Sequence, residues 1–179
     1  MAAQDAQNTH SSAVGFAPGD SHTPMLDAVR HYLDSDGWTY SERERGGLFS
    51  LSATVGLASG EFRTFFDVND EEERFAVYVY APVKVPEKYR GSVAEFLTRV
   101  NYRLFLGKFE FDLDDGQVRM VSTVFMGGSA LSQAMIDQME NSAHMTMNKY
   151  WPGIMSVAYG GQSAAEALAA VDAEADASA

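Results

Sequence analysis

Three stretches of alternating apolar and polar residues, followed by an abrupt change to helical spacing, restrict what this chain can build. In the first, Phe49, Leu51, Ala53, Val55 and Leu57 share one side of a strand, and Ser50, Ser52 and Thr54 take the other. Ser59-Gly60 turns the chain into Phe62 to Val68, and the acidic run Asn69 to Glu73 turns it again into Phe75 to Ala81. Pro82 and Pro86 close this sheet segment.

The period then changes. Val93, Phe96, Leu97, Val100 and Leu104 form an apolar stripe ended by Gly107, with Ser92 and Glu95 spaced as a capping box, although a start at Pro86 fits equally well. Two more strands, Lys108 to Asp114 and Gln117 to Phe125, precede a last helix marked by Leu131, Met135, Met139 and Met145. That helix runs to a kink or break at Trp151-Pro152. At the start of the chain, Thr23 can cap and Pro24 can open a helix with Met25, Leu26, Val29, Tyr32 and Leu33 on one face, stopped at Gly37. The order is helix, three strands, helix, two strands, helix, an α+β pattern with an antiparallel sheet packed by helices.

Residues 1–22 and the Ala-rich acidic stretch 160–179 have little to bury and read as tails, a disordered one at the N-terminus, around a single domain at 23–159. The second stretch could form a weak helix through Ala165 to Val171, but it lacks a convincing apolar stripe. The 179 residues, 46% hydrophobic and 12% aromatic, suffice for one continuous core.

A formal net charge of −12 repels phosphate backbones and anionic lipid, so neither nucleic acid nor membrane is expected as a partner. No run approaches the ~18 apolar residues of a membrane span. The absence of cysteine excludes disulfides and thiolate chemistry, and together with the lack of a leader pattern it gives the expectation of a cytoplasmic protein.

The stretch most like a chemical motif is DLDDG, residues 112–116. An EF-hand loop needs oxygen ligands at its first, third and fifth positions, glycine at the sixth and glutamate at the twelfth. With Gly116 sixth, the first, third and twelfth positions fall on Phe111, Leu113 and Ser122, so only Asp115 fits. Asp115-Gly116 between alternating strands instead predicts a two-residue type I′ hairpin. That register pairs Phe111 with Met120, Leu113 with Val118 and Asp112 with Arg119.

Glu110, Asp112 and Asp114 then read as the solvated side of a strand, and Glu140 and His144 as a solvated pair one helical turn apart, with nothing to complete a metal site. No nucleophile or phosphate-loop motif is present, so no catalytic residue and no cofactor are expected. Asn101, bordering the apolar stripe, is expected to bond a neighbouring backbone segment, a structural role shared with Asp115 and Gly116 at the turn.

Two features point to contacts with another molecule. Phe65, Tyr78 and Tyr80 stand on the strand faces opposite the rows Phe62/Phe66/Val68 and Phe75/Val77/Val79, so the second face of the sheet is not cleanly polar. Methionines crowd the last third, where Met135 and Met139 are candidates for an adaptable binding surface.

The segment VAEFLTRVNYRLFLGKFEFDLDDGQVRMVSTV (93–124), its lead-in APVKVPEKYR and the later KYWPGIMSV (149–157) resemble the YbjN family of bacterial sensory transduction regulators. The likeness covers about 24–159 and is most specific around Asn101 and Gly107. It implies a type III secretion chaperone-like α+β fold and regulatory or adaptor work, with relatives that bind extended peptide segments as dimers. It brings no catalytic residues with it.

Read together, these observations favour a non-enzymatic, chaperone-like adaptor or regulator, a homodimer that engages a protein partner or peptide segment through apolar sheet or helix surface by groove docking or strand addition. The alternative is a small-molecule sensor holding its ligand between sheet and helix, with Asn101 or Tyr102 as polar contacts. A third reading is a metal-dependent hydrolase built on Glu110, Asp112, Asp114 or His144.

Overall fold

The computed structural model describes residues 23–177, so the expected N-terminal tail lies outside the described residues. Helix α1 (Pro24–Ser35) is followed by strands β1 (Ser41–Arg45), β2 (Leu48–Leu57), β3 (Gly60–Asn69) and β4 (Arg74–Tyr80). A 3₁₀ turn (Glu87–Tyr89) leads into α2 (Arg90–Asn101), then β5 (Lys108–Phe111), β6 (Val118–Phe125), α3 (Gln133–Ala158) and α4 (Ala164–Ala177). The six strands form one sheet in the order β1-β2-β3-β4-β6-β5, and every neighbouring pair is antiparallel. The crossover through α2 carries β5 to the far edge, and β6 returns to fill the place beside β4. The architecture is the α+β arrangement expected from the sequence.

The helices lie against one face of the sheet. Phe62, Phe66, Leu51, Phe75 and Met120 from the strands meet Leu26, Val29, Leu33, Phe96, Ile136, Met147 and Ile154 from the helices, all fully buried. Burying each such side chain stabilises by about 1.5–3 kcal/mol relative to exposing it. The five residues read as the inner face of α1 are all buried, as are Val93, Phe96, Leu97 and Val100 of α2.

Several local expectations are corrected. Strand β1, sequence SERER, is exposed along its whole length, so it carries no apolar alternation to announce it. Thr23 makes no side-chain cap; the Asp70 carboxylate, 45 residues away, accepts from the Met25 N–H at 2.9 Å and supplies the negative group that the start of α1 favours. Ser92 does not cap α2, which enters through the 3₁₀ turn, and Glu95 instead accepts from Arg99 at 2.7 and 2.9 Å. α3 runs unbroken through Pro152, because Trp151, Gly153, Ile154 and Val157 on both sides of it are buried.

The C-terminal segment expected as a tail is instead a packed helix. Ser163 and Glu166 form a capping box, with Glu166 Oε2 accepting from the Ser163 N–H at 2.9 Å and Ser163 Oγ accepting from the Glu166 N–H at 3.3 Å. Ala164, Ala167, Leu168 and Val171 are buried, and an Arg103–Asp172 ion pair at 2.6 Å joins the helix to the chain after α2. Gly153 makes this approach feasible: a Cβ there would lie 2.6 Å from the Phe96 ring and 3.0 Å from Val171.

The β5–β6 register also differs from the two-residue hairpin. Phe111 pairs with Val118, Glu110 with Arg119 and Phe109 with Met120. Asp112 Oδ1 accepts from the Asp114 N–H at 2.8 Å and the Asp115 N–H at 3.2 Å, while the Gly116 N–H bonds the Asp112 carbonyl. A side-chain-mediated turn over Leu113–Gly116 has replaced the type I′ turn and shifted the pairing by two residues. The tip is fastened to the chain between β4 and α2, with Lys84 donating to Asp115 at 2.5 Å and the Val85 N–H to the Gly116 carbonyl at 2.8 Å.

Candidate functional site

Strand parity sorts the sheet into two faces. The helix side takes Phe62, Thr64, Phe66 and Val68 of β3 and Phe75, Val77 and Val79 of β4; the opposite side takes Arg63, Phe65 and Asp67, and Arg74, Ala76, Tyr78 and Tyr80. The ring and hydrogen-bond contacts between helices and strands fall on the first parity: Phe62 with Trp151, Phe109 with Tyr150, Thr64 with His144 and Glu42 with Arg30. Among the described residues no helix makes such a contact with the second face, called the open face below, although Ala76 and Val121 on it are buried among their neighbours.

Cross-strand register assembles the open face into rows. Ser52, Phe65, Tyr78 and Val121 form one row, and Thr54, Arg63, Tyr80, Arg119 and Glu110 the next. Phe65 meets Tyr80 edge-on with centroids 5.2 Å apart, and Tyr78 and Tyr80 are 6.4 Å apart. Arg119 lies over the Tyr78 ring at 4.7 Å, donates to the Tyr80 hydroxyl at 2.7 Å and pairs with Glu110 at 2.6 Å. Arg63 covers Phe65 at 5.0 Å. These three aromatics are half-buried by one another and by arginine, and none is covered by a helix.

Two clefts of about 360 and 570 Å³ flank Tyr80 on either side, and Gln117 borders both. Burial pushes the Asp67 carboxyl above its ordinary value despite the hydrogen bond from Ser50 at 2.5 Å. Burial also raises the Tyr78 hydroxyl. Glu110 is pushed upward by burial too, but hydrogen bonds from Arg119 and Lys108 outweigh this and hold it below the usual carboxylate range.

The sheet edges are guarded. At the β5 edge the Asn101 amide takes both outward backbone groups of Phe109: Nδ2 donates to the carbonyl at 3.0 Å, and Oδ1 accepts from the N–H at 2.7 Å. One side chain thus stands where a seventh strand would pair. The β1 edge carries Glu and Arg in alternation, a charged border of the kind that discourages strand addition.

Of the other residues considered from sequence, Met135 and Met139 do not join this face. Met139 is 8% exposed and Met135 half-buried against the core, because both lie on the side of α3 that meets the molecule's interior. Glu140 and His144 are not a solvated pair; they are 7% and 5% exposed. His144 Nδ1 bonds Glu140, its Nε2 bonds Thr64 Oγ1 at 2.7 Å, and Trp38 stacks on the ring. Tyr32 reaches Glu140 and Asp137 at 3.5 and 3.4 Å, and burial drives its hydroxyl well up. The array ties α1, α3 and β3 together inside the protein. Among the described residues no group of three His, Cys, Asp or Glu is placed to hold a metal ion.

Tyr102 points to solvent at 93% exposure beside Phe105 at 99%, and the Asn101 amide is engaged by the Phe109 backbone. The residues that sequence reading missed are the arginines of the open face. Their signal was available, since Arg63 has the parity of Phe65, and Arg74 that of Tyr78.

Among the described residues no helix is long and apolar enough to cross a membrane. No curated protein sequence matches the chain. Among solved structures, the crystal structure of YbjN, "a putative transcription regulator from E. coli", superposes with a TM-score of 0.53 at 16% identity, covering 72% of this chain and 92% of that one. An uncharacterized protein from Methanothermobacter thermautotrophicus gives a TM-score of 0.54 at 13% identity, covering 75% and 99%. These likenesses establish a shared fold. Residues 25–154 match the family described as "Putative bacterial sensory transduction regulator", and over that span the chain belongs to the YbjN family.

Proposed function

We infer that this protein is a non-enzymatic regulator of the adaptor kind, which works by docking a protein partner on the open face of its sheet. The observation that carries the reading is the cluster Phe65, Tyr78 and Tyr80, three half-buried rings on a sheet face that none of the four described helices covers. The guarded edges narrow the mode. With Asn101 occupying β5 and charges lining β1, a partner meets the face and does not extend the sheet. Glu140 and His144 are buried and bonded to each other and to Thr64, in keeping with a structural part for them in this reading.

Site-specific photo-crosslinking in the native host tests this. A photoreactive residue in place of Thr123, exposed on the open face, is expected to capture one protein reproducibly, and the same residue at Gln138, exposed on α3, is not. Capture only from position 138 would reject the docking face.

A further inference from the structure

The strands that form the open face have the opposite charge balance to the protein as a whole, with the loop acids Glu72, Asp112 and Asp115 at its margins, Glu72 on Arg74 and the other two along the cleft beside Arg119. These strands place six basic residues there, Arg43, Arg45, Arg63, Arg74, Lys108 and Arg119, against three acids, Glu61, Asp67 and Glu110. The whole chain has 13 basic and 25 acidic residues, so nearly half of its cations and few of its acids share one side of one sheet. Two of the three acids are engaged locally, Glu110 by Arg119 and Lys108, and Asp67 by Ser50. Arg43, Arg45 and Arg63 have no ion pair among the described residues.

We propose that the segment docking on this face is acidic and amphipathic: its carboxylates meet Arg43, Arg45 and Arg63, and its apolar side covers Phe65, Tyr78 and Tyr80. The proposal rests on the docking reading above and specifies the partner's chemistry. Screening confines the relevant field to about 8 Å at physiological salt, so a partner on this face responds to its local cations more than to the distant acids. A second copy of the chain is a poor occupant, because two-fold pairing through this face would set six cations against six. Single-stranded nucleic acid fits less well than protein. Nucleic acid needs a continuous track of cations along its backbone, and half of the cations here are committed to Glu110 or Glu72.

Fluorescence anisotropy on the full chain tests the proposal with three labelled probes. These are an amphipathic peptide of Glu, Leu and Tyr, the same peptide with Lys for Glu, and oligothymidylate. The acidic peptide is expected to bind, to weaken at least tenfold with Arg43→Glu/Arg63→Glu, and to be unaffected by Arg99→Glu on α2. The same loss is expected when salt is raised until the Debye length falls from about 10 to about 3 Å. Urea unfolding of each variant verifies that the fold is retained.

No binding of the acidic peptide overturns the acidic assignment, and the crosslink at position 123 then decides the docking reading separately. Tighter binding of the lysine peptide, lost with Thr123→Arg, overturns the assignment and leaves docking intact. Binding of oligothymidylate alone, lost with Arg43→Glu/Arg63→Glu, overturns both.

Discussion

Asn101 holds Phe109 by both of its outward backbone groups, so a single carboxamide seals the outer edge of the sheet. Replacing Asn101 with Ala leaves the Phe109 N–H and carbonyl without these partners, at an expected cost of about 1–3 kcal/mol. Urea unfolding should show that loss, and light scattering should show association that grows with concentration as the freed edge pairs between molecules. Unchanged stability and mass would remove the edge-sealing role.

The Glu140–His144 pair makes a sharper energetic prediction. His144→Ala leaves a buried carboxyl with its main partner gone, and the expected destabilisation is about 3–5 kcal/mol. Replacing Glu140, His144 and Thr64 together with Met, Leu and Val should cost much less, since no uncompensated polar group is left behind. Equal losses in the two variants would show that shape, and not polar pairing, governs this part of the core.

Asp67 and Glu110 should shift the pH dependence of stability in opposite directions. Asp67 titrates above its ordinary 3.8 in the folded state, so folded protein holds its proton more tightly and stability falls as pH rises through that window. Asp67→Asn is therefore expected to be more stable than the parent at neutral pH, with the gain vanishing below that ordinary value. Glu110 titrates below its ordinary 4.5, so its contribution is present above that pH and is lost on acidification through the lower folded value. Glu110→Gln should be less stable than the parent at neutral pH and equal to it in strong acid. Thermal unfolding across pH reads both slopes.

At the hairpin tip, Gly116 has φ +83°, and a Cβ there would lie 2.2 Å from the Val85 carbonyl oxygen. Gly116→Ala is expected to cost about 1–3 kcal/mol and to loosen the tip from the segment before α2. Hydrogen exchange at the Val85 amide, which donates to the Gly116 carbonyl, should accelerate.

How much was legible in sequence followed how strongly burial wrote itself into spacing. α1 and α2 each bury one stripe of large side chains, and the helical period found both. β1 is solvated on both sides, so alternation could not register it. α4 packs through alanines, whose small apolar surface gives little contrast, while its cap at Ser163 and Glu166 was readable.

The β5–β6 slip came from turn chemistry: Asp-Gly favours a two-residue turn, but the Asp112 side chain organises a longer one. Glu140 and His144 looked solvated because charged residues usually are, and a buried i, i+4 pair has the same spacing as an exposed one. On the open face the aromatics stood out as exceptions to alternation, while the arginines beside them passed as ordinary solvated residues until register brought Arg119 onto Tyr78.

NMR titration of the labelled chain with its crosslink-identified protein partner tests the central claim most directly. Resonances of Thr123, Tyr78, Phe65 and the Arg63 guanidinium on the open face should shift together, while Met147 and Ile154 on the helix side stay in place. Shifts confined to the helix side, or to the exposed Tyr102–Phe105 stretch with the open face silent, would contradict it.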